Sequence, residues 1–140
     1  MFLASDLQLQ VFYSTLDQVF HSKPIIGRST TDVLQQVQDK HYSIPYVENT
    51  AWHLRFGHLV GYGAKYYSYL MSRSVASMIW HQCFRENPFD RDMGEKYRQE
   101  VLAHGGGKHP AELFEALLGK KPTIDKLVQS LIHEIDSDIG

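Results

Sequence analysis

Cysteine is nearly missing from this chain: Cys83 stands alone among 140 residues. No intramolecular disulfide can form, so a reducing compartment is the simpler setting. Also missing is any apolar run approaching the roughly 20 residues that span a bilayer. Charge of one sign is not in excess either, with 14 Lys and Arg against 16 Asp and Glu. That balance leaves no electrostatic footprint for nucleic acid or for an anionic membrane, and neither is expected as a partner. The opening "MFLASDLQLQ" is too short in its apolar part for a secretory signal. Asp6, and the lack of any arginine before Arg28, disfavour a mitochondrial presequence. No targeting segment is therefore expected in the sequence as written.

Several catalytic signatures are absent as well. Of the eight histidines, only His133 is followed by glutamate, and Ser137 stands where the second histidine of H-E-x-x-H would be. His53 and His58 are five apart, which on a helix turns them about 140° from each other. His104 and His109 flank a glycine loop but are not taken as a metal pair, and no metal ligand is assigned in the chain. No G-x-S-x-G elbow occurs. "GGGK" lacks the first glycine and the terminal hydroxyl residue of a phosphate loop.

What is present is helical periodicity nearly throughout. Leu9, Phe12, Leu16, Val19 and Phe20 recur at three-and-four spacing, predicting a helix over 6–21 capped by Ser5 or Asp6. Pro24 and Gly27 interrupt it. A second helix is expected from Thr31 to His41 behind a Ser29 or Thr30 cap, and a short one in "NTAWHLRF". A long helix is expected from Ala64 to Phe84, and another after Pro88 with Asp90 as its cap. "HGGGKHP" reads as a loop, because three glycines cost too much backbone entropy inside a helix. Pro110 and Gly119 bracket "PAELFEALLG" as start and stop. Thr123 caps a last helix, "IDKLVQSLIHEI". No stretch alternates as a strand and no repeat is evident. The sequence predicts an all-α fold, with residues 1–140 in one domain and no linker.

One stretch asks for a chemical explanation. "HLVGYGAKYYSYL" (His58–Leu70) sets Tyr62, Tyr66, Tyr67 and Tyr69 behind a histidine and two glycines. Phenylalanine would fill space without a hydroxyl to satisfy, whereas an unpaired buried hydroxyl costs about 1–3 kcal/mol. At about 100° per residue, Tyr66 and Tyr69 share one helical face. Tyr67 points away and groups with Leu70, Met71 and Met78 as a core face. Gly61 and Gly63 bracket Tyr62 in a turn that a peptide backbone could approach closely. Neutral phenols can donate to a carbonyl oxygen as it gains negative charge, and a histidine can add a second donor. The plainer alternative is that all four tyrosines pack between helices with hydroxyls reaching water.

"LQLQVFYSTLDQVFH", "NTAWHLRFGHLVGYGAKYYSYLMSRSVASMIW" and "YRQEVLAHGGG" closely resemble the C-terminal part of the thimet oligopeptidase family of zinc metallopeptidases. The likeness runs from Leu7 to Ile135. It implies the helical C-terminal part of a larger, mostly α-helical zincin-type metalloendopeptidase, with the zinc-binding H-E-x-x-H part upstream. Zinc is the implied cofactor, with no ligand in this chain. The resemblance gives catalytic roles to His58, Tyr66 and Tyr69, and substrate contacts to Gly61, Tyr62, Gly63 and the loop Gly105, Gly106 and Gly107. Where relatives often carry arginine and proline before that loop, Ala103 and His104 stand here, so no arginine role carries over. The implied partners are a peptide or precursor-protein substrate and the upstream part of the enzyme. The most similar members work in the mitochondrial matrix, trimming imported precursors. Without the zinc site, the isolated chain is expected to be inactive. The competing expectation is a non-catalytic, truncated helical module that binds peptides or a partner protein.

Overall fold

Leu3 and Leu7, one helical turn apart, are both buried, and their packing carries the first helix further toward the N-terminus than the cap residues suggest. The computed structural model describes residues 3–139, and there α1 runs Leu3–His21. Ser5 and Asp6 thus lie inside the helix rather than capping it. All regular structure among the described residues is helical, with no strand. No described helix is long and apolar enough to cross a membrane. The chain divides into two compact units, Met1–Met71 and Ser72–Gly140.

In the first unit, α1 packs beside α2 (Thr30–His41). Ser29 starts α2 with a reciprocal capping box: its hydroxyl accepts from the Asp32 N–H at 3.0 Å, and the Asp32 carboxylate accepts from the Ser29 N–H at 3.0 Å. The Ser29 backbone N–H, and after it the Ser29 side chain, hold the Asp32 carboxyl below its ordinary pKa. The core is Phe12, Leu16, Val33, Leu34 and Val37. Tyr42 stacks on Phe12 with ring centroids 5.3 Å apart. Buried Gln38 ties down the following loop, donating to the carbonyls of Ile44 (3.1 Å) and Pro45 (3.3 Å) and accepting from the Trp52 indole (3.3 Å). A 3-10 turn, Trp52–Arg55, and the one-turn helix α3, His58–Gly61, lead to the tyrosine segment.

Helix α4 spans Ser68–Ile79 and passes into a π-helical turn, Trp80–Phe84. The long helix expected from Ala64 therefore starts four residues late. Ala64 sits at φ 61°, a left-handed conformation that a right-handed helix does not contain.

The second unit also holds α5 (Arg91–Glu100), a 3-10 turn (Leu102–His104), α6 (Pro110–Leu118) and α7 (Ile124–Ile139). Its core is Val75, Met78, Ile79, Leu117 and Leu127. The Asp90 carboxylate accepts from the Met93 N–H at 2.9 Å as N-cap of α5. Pro110 opens α6, and Gly119 closes it at φ 75°. Thr123 Oγ1 accepts from the Lys126 N–H at 3.4 Å as α7 begins. Arg73 reaches Glu134 through Nε and Nη2, both at 3.2 Å.

Candidate functional site

The site grows from a row of rings that begins in the core of the first unit. Tyr13 of α1 meets Trp52 at 5.7 Å, Phe56 at 4.8 Å and Tyr66 at 5.6 Å between centroids. Tyr66 in turn touches Phe56 (5.6 Å), His58 (5.4 Å) and Tyr69 (5.0 Å), the last two edge-on. Edge-to-face pairs of this kind add about 0.5–1.5 kcal/mol each beyond burial. The row ends at the surface with Tyr62 and Tyr69, 5.8 Å apart.

Burial sorts the four tyrosines differently from helical phase. Tyr66 is 7% exposed, whereas Tyr62, Tyr69 and Tyr67 are 38%, 46% and 50% exposed. Tyr67 is therefore not a core residue, and neither is Met71; of the expected group with them, Met78 is buried. Helical phase misleads here because residues 62–67 form turns rather than helix, so a 100° increment does not apply to them. Burial, ahead of the neighbouring Tyr13 and Tyr69 and of Asp6, pushes the Tyr66 phenol above its ordinary pKa, with a hydrogen bond to the Gln10 side chain pulling the other way. Tyr66 stays a neutral hydroxyl throughout the neutral range.

Around the exposed end lies an open depression of about 360 Å³ lined by Gly57, His58, Gly61, Tyr62 and Tyr69. The Tyr69 hydroxyl is 3.4 Å from His58 Nε2, and the Tyr62 hydroxyl is 3.2 Å from Ser68 Oγ. Hydroxyl and imidazole donors thus converge on one open surface. A Cβ on Gly61 would meet open space, consistent with its place on the wall of the depression. A Cβ on Gly63 would collide with the His21 ring, so glycine there is required by close approach within the protein. A neighbouring depression of about 380 Å³, whose lining includes Phe20, His21, Ile25, Thr30, His53 and Leu59, contains no tyrosine.

Gly105, Gly106 and Gly107 belong to the second unit. Gly105 takes φ 51°, and the Gly107 N–H donates to the His104 carbonyl at 2.8 Å. Lys108 Nζ is 3.1 Å from His104 Nε2.

Sequence reasoning missed the residues that hold the tyrosine turn. Asp17, 1% exposed, accepts from the Ala64 N–H at 2.9 Å and from the Tyr66 N–H at 3.0 Å, one bond on each carboxylate oxygen. The Gln18 side chain donates to the Ala64 carbonyl at 3.1 Å. His21 Nδ1 lies 2.8 Å from the Asp17 carbonyl oxygen and 3.0 Å from its Oδ1. Both are acceptors, which assigns the ring proton to Nδ1 and turns Nε2 toward Gly63. The available signal was a carboxylate at one helical turn from Tyr13 and from His21, beside the apolar stripe of α1.

Among the described residues, no group of three or more His, Cys, Asp or Glu side chains could hold a metal ion. The donor set for the zinc that the family resemblance implies is not formed by these residues.

Residues 2–132 match the family model of Peptidase family M3, and the chain belongs to that family. Mitochondrial intermediate peptidase of Homo sapiens is 58% identical over 135 residues, which are 96% of this chain and 19% of that protein. The mitochondrial intermediate peptidase of Mus musculus is 56% identical over 135 residues, again 96% of this chain and 19% of the relative. That of Schizophyllum commune is 45% identical over 115 residues, 81% of this chain and 15% of its own length. The chain spans about one fifth of the length of these relatives at most.

Proposed function

We propose that residues 1–140 form the C-terminal part of the catalytic domain of a zinc metalloendopeptidase of the mitochondrial intermediate peptidase type. In that reading the chain supplies one wall of a peptide-binding site, and the remainder of the enzyme supplies the metal and the rest of the catalytic groups. The observation that carries the proposal is the convergence of the Tyr69 hydroxyl and His58 Nε2, 3.4 Å apart, on an open depression backed by buried Tyr66.

The chemistry follows from the groups present. A phenol held neutral can donate to a peptide carbonyl oxygen, and the bond strengthens as negative charge develops on that oxygen. Tyr69 is the exposed donor, and His58 is its neighbour. Tyr66 touches both rings and backs them from the buried side. Tyr62 and Gly61 offer the flank along which an extended peptide lies, while Gly63, given a substrate contact by the resemblance, lets the turn pack closely against His21. The family resemblance gives Gly105, Gly106 and Gly107 of the second unit a substrate contact of their own. The substrate class is a peptide or imported precursor protein, and the compartment is the mitochondrial matrix.

The test compares the purified 140-residue chain with a full-length peptidase carrying this segment, on a quenched-fluorescent peptide. The chain alone is expected to bind no stoichiometric zinc and to give no chelator-sensitive turnover, while the full-length protein gives both. Chelator-sensitive cleavage by the chain alone would overturn the divided-site reading. An inactive full-length protein would overturn the peptidase reading itself.

A further inference from the structure

Ala64 is the point of tension in the tyrosine segment. It is not glycine, yet it sits at φ 61°, a conformation that costs an alanine on the order of 1–2 kcal/mol. Such a residue persists only where its surroundings over-determine it. Here the surroundings are the last two turns of α1. Asp17 takes the Ala64 N–H, Gln18 takes the Ala64 carbonyl, and the second Asp17 oxygen takes the Tyr66 N–H. Both polar groups of the strained residue are therefore gripped from one helix, and the tyrosine two residues on is gripped with it. On the other side, the His21 ring fills the space that a side chain at Gly63 would need.

We infer that Asp17 is a positioning residue for the tyrosine site, locking the 63–66 turn so that Tyr66 backs His58 and Tyr69 in their working arrangement. Asp17 touches no substrate; it acts through backbone that carries the rings. A buried carboxylate is suited to this because it accepts at both oxygens and donates at neither. Asparagine in its place would keep the shape but turn an amide N–H toward a backbone N–H, setting donor against donor. Gln18 is the accessory half of the clamp, on the solvent side.

This inference rests on the peptidase reading above, and the experiment separates the two. In the full-length peptidase carrying this segment, Asp17→Asn is expected to lower kcat about 10- to 100-fold, the range for a slight misplacement of catalytic groups, with KM little changed. Hydrogen exchange at the Ala64 and Tyr66 amides should accelerate, while exchange in the α1 and α2 cores stays as in the parent. The deciding measurement is a cycle with Tyr69→Phe. If Asp17 acts through the tyrosines, Asp17→Asn should cost less than about 3-fold in the Tyr69→Phe background, because coupled residues do not add. Independent, multiplicative losses would overturn the clamp as a positioning device, as would full activity of Asp17→Asn beside a crippled Tyr69→Phe. Full activity of Tyr69→Phe would instead sink the peptidase role of the tyrosines. Should Asp17→Asn fail to fold, Gln18→Ala removes only an exposed grip on Ala64. The same cycle with that variant, on a smaller loss, separates coupled from independent effects equally well.

Discussion

The His53 ring shows how a single residue ties stability to pH. It is 5% exposed, stacks on Phe20 with centroids 5.8 Å apart, and meets Thr30 Oγ1 at 3.0 Å through Nε2. Its Nδ1 is buried without a hydrogen-bond partner. Burial depresses its pKa below the ordinary 6.5, because the charged ring would be poorly solvated there. The folded state therefore binds this proton less readily than the unfolded state. The stabilisation is present above 6.5 and is lost as pH falls through the folded value. The denaturant midpoint of the chain should drop between about pH 7 and pH 5, and His53→Gln, which cannot ionise, should flatten that drop. An unchanged slope in His53→Gln would assign the acid sensitivity to other groups. At this scale the sequence was only partly legible. Tyr69 and His58 stood out because hydroxyls and imidazoles in one short segment are chemically conspicuous. Asp17 and His53 did not, since what matters about them is burial and bonds to residues 47 and 49 positions away for the one and 23 for the other.

Helix ends were read well where local chemistry decides them. Ser29 with Asp32, Asp90, Pro110, Gly119 and Thr123 all act at short range, and each sits where its capping chemistry requires. The beginning of α4 was misplaced because nothing in "GAKYYS" announces a left-handed alanine; the clamp that enforces it comes from α1. Two glycines make the same physics measurable in opposite directions. Gly119 closes α6 at φ 75° with open space around its Cβ position, so Gly119→Ala should destabilise by about 1 kcal/mol through backbone strain alone. Gly94 lies inside α5, also in open space and without a positive φ. Gly94→Ala should stabilise by about 0.5–1 kcal/mol, since alanine loses less entropy in a helix. Equilibrium denaturation of the two variants checks both signs. Equal shifts in one direction would contradict this explanation of the helix ends.

For the molecule as a whole, helical periodicity and the absence of alternating strands were enough for the all-α class, and the tyrosine-rich motif was enough for the family. The geometry of the site needed coordinates, because turns at 62–67 break the helical phase on which face arguments depend. A buried Tyr66 behind an exposed Tyr69 is a better arrangement for a donor wall than two equivalent tyrosines would be. One ring is packed and positions its neighbour, and the other reaches the open depression. The claim that matters most is that the Tyr69 hydroxyl serves the transition state of peptide hydrolysis. Steady-state kinetics of Tyr69→Phe in the full-length peptidase test it most directly, since only one oxygen is removed and the ring contacts remain. The expected result is a kcat lower by about 100-fold or more, the scale of a lost oxyanion donor, with KM within about 3-fold of the parent. A kcat within about 2-fold of the parent would contradict it and return Tyr69 to a packing role.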